Sequence, residues 1–246
     1  MAVDRKTFVL VHGAWHGGWC WRDVAAILRA RGHAVTTPTQ TGLGERAHLL
    51  SRAIDLATFV TDIETHILFE DLADVVLVGH SFAGPVISGV ADRIPEGLSR
   101  LIYLDAQVLE SGETPMSRMP EDIAAERIRQ AEESSGGLSL PAPPASVFGV
   151  RDPHQTAWVE SRLTPHPMRT YHCALTLSNS CGNGLPADYI VCTDPIYQPL
   201  QSARERARQA GWPMHELPTG HDAMVTEPGA TADLLEAIAS GKDHAD

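Results

Sequence analysis

Short unbroken apolar runs punctuate this chain, and between them lie stretches whose apolar positions recur every three or four residues. The first run is Phe8-Val9-Leu10-Val11, which ends at His12-Gly13. A run this short with no polar alternation predicts a strand buried on both faces. Over 19–31 the apolar residues Trp21, Val24, Ala25 and Leu28 have helical spacing, and Gly32 stops the helix. His33-Ala34-Val35-Thr36-Thr37 predicts a second strand ended by Pro38, and 42–50 reads as loop. Over 55–71 a helix presents Leu56, Phe59, Val60, Ile63 and Ile67 on one face. Val75-Val76-Leu77-Val78 predicts a third strand, 82–93 a helix, and Leu101-Ile102-Tyr103-Leu104 a fourth strand ending at Asp105. Strands and helices that alternate in this way build a parallel sheet covered by helices on both faces.

The alternation breaks between about 107 and 184. A charged helix over 121–133 is followed by Ser134-Ser135-Gly136-Gly137, a proline-rich stretch, and a second helix over 154–163. Aromatic residues and leucines recur throughout, so this segment reads as an inserted helical cap over the sheet's carboxyl edge rather than a disordered linker. Alternation resumes with a strand at Tyr189-Ile190-Val191-Cys192, a helix over 200–210, a short strand at Met214-His215-Glu216-Leu217 and a closing helix over 232–239. The expected organisation is an α/β core made of 1–106 and 185–246, interrupted by a cap at 107–184.

Composition narrows the function classes. With 246 residues, 43% hydrophobic and 20% charged, the chain suits one soluble globular domain with an insertion. Its net charge of −12 disfavours a phosphate backbone as partner, so no nucleic acid is expected. The opening Met1-Ala2-Val3-Asp4-Arg5-Lys6-Thr7 has no apolar leader, and no run approaches the roughly 20 residues that span a bilayer. A cytoplasmic protein without membrane attachment is the expectation. Cys20, Cys173, Cys181 and Cys192 lack zinc-type spacing and read as reduced thiols.

The candidate chemistry lies at strand ends. Gly79-His80-Ser81-Phe82-Ala83-Gly84 stands directly between a buried strand and a helix. That is the context of a nucleophile elbow, in which a tight turn lifts a serine above the sheet and small neighbours two residues away avoid a clash. Ser81 is therefore the candidate nucleophile, with Ala83 in place of the motif's second glycine. The turn aims the Phe82 backbone N–H at an oxyanion, and the loop after the first strand offers the Ala14 N–H as second donor. His221 follows the last strand through Pro218-Thr219-Gly220 and is the candidate base among twelve histidines. His80, next to Ser81, is expected to point away. His12 and His16 sit in a glycine-rich loop without a third ligand, so no metal site is expected. Trp15, Phe82, Tyr103, Phe148 and Trp158 are candidates for an apolar or aromatic lining, with Trp15, Phe148 and Trp158 the substrate-binding candidates.

These segments resemble the α/β-hydrolase superfamily, and within it the plant methylesterase and hydroxynitrile lyase group with its bacterial esterase relatives. The resemblance is carried by Phe8-Val9-Leu10-Val11-His12-Gly13-Ala14-Trp15-His16-Gly17-Gly18-Trp19, by the Ser81 motif, by Tyr189-Ile190-Val191-Cys192-Thr193, and by Gly220-His221-Asp222-Ala223-Met224. It covers most of the chain and is weakest in the cap. It implies cofactor-free hydrolysis of small esters through a Ser-His-acid triad, or cyanohydrin cleavage, and it is compatible with a homodimer. The lyases carry a lysine after the histidine; here Asp222 stands there, which argues against cyanide release. The methylesterases place their acid two residues after the threonine ending the penultimate strand, where this chain has Pro195. Asp194 lies one residue early. Haloalkane dehalogenases, which share the fold, carry the acid where Asp105 stands. Asp105 is the preferred acid and Asp194 the alternative. Dehalogenase and epoxide hydrolase readings fail because both need a carboxylate in place of Ser81. Lactone or carbon–carbon bond hydrolysis would use the same residues, as would a small-molecule receptor on this fold.

Overall fold

The computed structural model describes residues 5–241. The Met1–Asp4 stretch, on which the expectation about a leader partly rests, lies outside the described residues. The chain opens with β1 (Thr7–Val11), a 3-10 turn, α1 (Arg22–Ala30) and β2 (Ala34–Thr36). Next come α2 (Leu56–Phe69), β3 (Val75–His80), α3 (Ala83–Arg93) and β4 (Leu98–Leu104). The stretch expected to be plain loop carries 3-10 turns over Gly44–Leu49.

Between β4 and the next long strand lie α4 (Glu121–Ser135), β5 (Ser139–Leu140), α5 (Pro153–Glu160), β6 (His166–Pro167) and α6 (Arg169–His172). The chain then runs through β7 (Ala187–Cys192), α7 (Gln201–Gln209), β8 (Met214–Leu217), α8 (Ala223–Thr226) and α9 (Pro228–Ala239). Among the described residues no helix is long and apolar enough to cross a membrane, and the four cysteines are unpaired.

Six strands form one parallel sheet in the order β2-β1-β3-β4-β7-β8. Their apolar runs are buried from end to end in β3 and β7, as a sheet covered on both faces requires. α1 packs with α9, and α2 with α3. The helix expected over 55–71 forms because Asp55 caps it in a reciprocal box with Thr58, and its five expected apolar residues are all buried. α4 runs two residues past the expected end, through Ser134 and Ser135, and stops where Gly136 turns left-handed at φ 58°.

The strand order sets the site. From β1 the chain moves outward to β2, then crosses to the other side of β1 to lay down β3. Loops leaving β1 and β3 therefore part in opposite directions at the carboxyl edge, and the crevice between them is where open α/β sheets hold ligands. Ala14 follows β1, and Ser81 follows β3. Over this edge lie the two-residue strands β5 and β6, which pair antiparallel. Leu140 and His166 come from those strands, and each bonds Trp15: its indole N–H donates to Leu140 O at 3.2 Å, and its backbone N–H to His166 Nδ1 at 3.4 Å.

Candidate active site

Ser81 sits on the turn between β3 and α3 at φ 55°, a left-handed conformation that costs a non-glycine residue about 1–3 kcal/mol. The surroundings enforce it. Ser81 N–H donates to Leu104 O at 3.1 Å, and Ser81 O accepts from Gln107 N–H at 2.9 Å. Gly84 makes this approach possible, because a Cβ there would fall 1.8 Å from Gln107 O. Gly13 does the same from the β1 side, where a Cβ would meet Ser81 Cβ at 2.8 Å.

The Ser81 hydroxyl donates to His221 Nε2 at 2.8 Å. His221 Nδ1–H donates to Asp105 Oδ2 at 2.6 Å. Asp105 leaves β4 at φ 38° and is fully buried. Its second oxygen lies 3.3 Å from Nη1 of Arg204, a 2% exposed side chain of α7 that sets a compensating cation beside the buried carboxylate. Asp194 is elsewhere. Its side chain is 67% exposed and pairs with Arg151 at 3.3 Å, so the alternative acid of the sequence reading does not reach His221. That position turns outward with the loop after β7, while the end of β4 lies under the imidazole.

The backbone N–H groups of Ala14 and Phe82 have no hydrogen-bond acceptor among the described residues, although both residues are nearly fully buried. Two buried donors without partners are uncommon, and both border a narrow cleft, with an enclosed volume of only about 20 Å³, that also exposes Ser81. Trp15 lines this cleft. Gln107, Met119, Arg127 and Tyr171 line it from the segment after β4, and Tyr197, Pro199 and Leu200 from the turn before α7.

Three lining expectations need correction. Trp158 lies away from the cleft, its ring 5.1 Å from Trp19 and flanked by Arg22 and Arg162. Phe148 does not border the cleft either; it is buried behind it, between Trp15 at 5.7 Å, His16 at 5.3 Å and the His221 ring at 6.1 Å. Tyr103 is buried in the core, stacked on Trp212 at 4.6 Å. Tyr197, which sequence reasoning missed, stacks on His221 at 4.2 Å.

Histidines build the floor. His12 Nδ1–H donates to Gly13 O, and its Nε2 accepts from Gln40 N–H; burial, with the His16 charge nearby, pushes its pKa down to about 3. His80 does point away from Ser81, but it has a partner: its Nε2–H donates to His221 O at 2.9 Å, with the rings 4.6 Å apart. Burial and neighbouring imidazoles hold it well below the ordinary value. His16 differs. Its Nδ1–H donates to Ala14 O at 2.8 Å and its Nε2–H to Asp222 Oδ2 at 3.1 Å. Both ring nitrogens donate, so the imidazole is cationic; burial lowers its pKa, but the Asp222 charge and these bonds outweigh it and the net shift is upward. Asp222 thus faces His16 rather than the cleft.

A family model described as an alpha/beta hydrolase family matches residues 8–234. The chain belongs to the α/β hydrolase family. It is 41% identical to the carbendazim hydrolyzing esterase of Nocardioides sp. (strain SG-4G) over 240 residues, covering 94% of this chain and 98% of that one. It is 27% identical to methylesterase 2 of Arabidopsis thaliana, covering 96% of each. Among solved structures, an extracellular α/β-hydrolase from a Paenibacillus species superposes with a TM-score of 0.83 at 24% identity, covering 95% of this chain and 98% of that one. These relatives make this α/β hydrolase a carboxylic ester hydrolase.

Proposed function

We propose that this α/β hydrolase is a serine carboxylesterase for small, largely apolar or aromatic esters, working through Ser81, His221 and Asp105. The observation that carries the reading is the continuous chain from the Ser81 hydroxyl to His221 at 2.8 Å and on to Asp105 at 2.6 Å. His221 Nε2 takes the serine proton as Oγ attacks the ester carbonyl. The oxyanion accepts from the Ala14 and Phe82 N–H groups, which have no other acceptor among the described residues. In such sites one lost donor costs on the order of 3 kcal/mol. The imidazolium hands its proton to the departing alcohol, and His221 then activates water to release the acid. Asp105 holds the tautomer that leaves Nε2 free as base.

Residues 107–184 serve as the cap that narrows the entrance, and the core is 1–106 with 185–246. The relatives' names favour methyl esters and carbendazim as first substrates to try. Cyanohydrin cleavage is disfavoured because Asp222, which replaces the lyases' lysine, is turned to His16. The test is steady-state hydrolysis of p-nitrophenyl acetate by wild type and Ser81→Ala. Turnover by wild type that vanishes in the variant is expected. Equal rates in both, or none in wild type, would remove the serine esterase reading.

A further inference from the structure

We propose that the cleft selects esters whose acyl part carries a second, anionic group, and that Arg127 of α4 binds that group. This rests on the esterase reading above and narrows its substrate class to esters whose otherwise apolar acyl chain ends in an anion.

Arg127 borders the cleft together with Ser81. It is the one charged side chain on that wall among the described residues, and it has no carboxylate partner there. Two acids of its own helix, Glu126 and Glu133, both hold Arg129. The guanidinium instead stands 5.5 Å from the Trp15 ring and 5.4 Å from the Tyr171 ring, with Nη1 3.2 Å from Met119 Sδ, and it also interacts with the uncharged Tyr171 and Tyr197 hydroxyls. Aromatic faces and a thioether hold a cation in place without neutralising it. A half-buried guanidinium whose partners are all uncharged gains from a carboxylate or similar anion, which it binds with two parallel N–H donors.

Gln107 is an independent pointer to a polar ligand. It is 8% exposed and lines the same cleft, yet its side-chain oxygen is buried with no partner among the described residues. Its backbone is fixed to Ser81 O at 2.9 Å, so its amide stands beside the nucleophile. No protein group holds that amide in one orientation, and it is free to turn its NH2 to a ligand oxygen. A buried amide oxygen left unbonded is costly; turning the amide so that its NH2 takes that place lets an acceptor on the acyl group satisfy the buried position.

The acyl part is the half of the ester that stays on Ser81 through both chemical steps. A fixed cation and amide that hold it therefore act on acylation and deacylation alike. The chain's net charge of −12 does not oppose this. Charges beyond about 8 Å are largely screened at physiological salt, whereas a direct ion pair in the cleft is not.

The experiment compares p-nitrophenyl hemiglutarate with p-nitrophenyl pentanoate, which share the alcohol and differ by a terminal carboxylate in place of a methyl. Wild type, Arg127→Gln and Arg127→Lys are assayed at pH 7. The expected result is a kcat/KM ratio of anionic to neutral ester that falls at least tenfold in Arg127→Gln, chiefly through KM, and less in Arg127→Lys. A ratio unchanged within twofold, with both esters losing equally, overturns the proposal and leaves Arg127 a packing residue. Calorimetric binding of monomethyl glutarate to Ser81→Ala, with and without Arg127→Gln, separates the two readings. A tenfold weaker binding in the double variant supports the subsite even where p-nitrophenyl hydrolysis fails, and equal binding overturns it.

Discussion

Asp105 and Asp194 both follow a strand that reaches the same edge, and the choice between them is made by backbone direction. Asp105 leaves β4 in a left-handed conformation that folds its carboxylate under the His221 ring, where Arg204 meets its other oxygen. Asp194 points outward to Arg151. In the proposed mechanism Asp105→Asn keeps the shape but offers an amide N–H to Nδ1, which favours the tautomer with Nε2 protonated and removes the base. The expected loss in kcat is on the order of 10⁴-fold. Asp194→Asn should stay within about twofold of wild type, because an exposed ion pair contributes little. Assaying both variants on p-nitrophenyl acetate decides the matter, and a crippled Asp194→Asn beside an active Asp105→Asn would reverse the assignment. The sequence narrowed the acid to these two positions, with Asp105 preferred by resemblance and not by geometry, since a strand end states where a side chain starts but not which way it turns. Arg204 left a fainter signal. Leu200, Ala203 and Ala207 form the buried stripe of α7, and Arg204 lies on it at helical spacing, where a charge needs a buried partner.

At the scale of elements, the long strands were legible because continuous apolar runs have only one use in a chain of this pattern. Their ends were less so: β4 starts at Leu98, three residues before its apolar run, because Leu98 and Arg100 pair with Val75 and Val76 of β3 across an irregularity at Ser99. The two-residue strands β5 and β6 and the one-turn helices α6 and α8 are too short to carry any periodicity. The cleft wall from the cap was missed for a different reason: Arg127 and Tyr171 meet only through long-range folding. Two loops that the motifs did mark are tied to each other by a link the motifs did not reveal. His16 of the β1 loop bonds Ala14 O on one side and Asp222, next to His221, on the other. This strut joins the proposed oxyanion donor to the loop of the proposed base. Asp222→Asn should therefore destabilise the fold, by about 3 kcal/mol, as when one partner of a buried pair is removed. The pH dependence has a definite sign. His16 has its folded pKa raised, so its contribution is complete below about 6.5 and fades as pH rises through the folded value. Urea unfolding at pH 6 and pH 9 should show the larger penalty at pH 6. An equal penalty at both would mean that the pair's charge contributes nothing.

For the whole molecule, the other buried histidines act in the opposite direction. His12 is held neutral down to about pH 3, and burial keeps His80 and His166 well below their ordinary value. Each is bonded in the neutral form at a joint of the site. His12 ties the end of β1 to Gln40, His80 supports the His221 carbonyl, and His166 accepts from Trp15 N–H while its other nitrogen donates to Thr170. The unfolded chain takes up protons at these positions near pH 6.5, and the folded chain does not. Stability must then fall as pH drops below about 6.5, with a limiting slope of about 1.4 kcal/mol per pH unit for each histidine. Three such groups give about 4 kcal/mol per pH unit, and His16, protonated in both states over that range, offsets none of it. A domain stability of about 5–15 kcal/mol is exhausted within roughly one to four pH units at that slope. Unfolding free energies from urea titrations at pH 7, 6, 5.5 and 5 should steepen toward that limit, and the neutral-tautomer joints around Ser81 are where the fold first gives way. A profile that stays flat from pH 7 to pH 5 would mean that these histidines accept protons inside the folded protein, and the neutral bonds assigned to them here would be wrong.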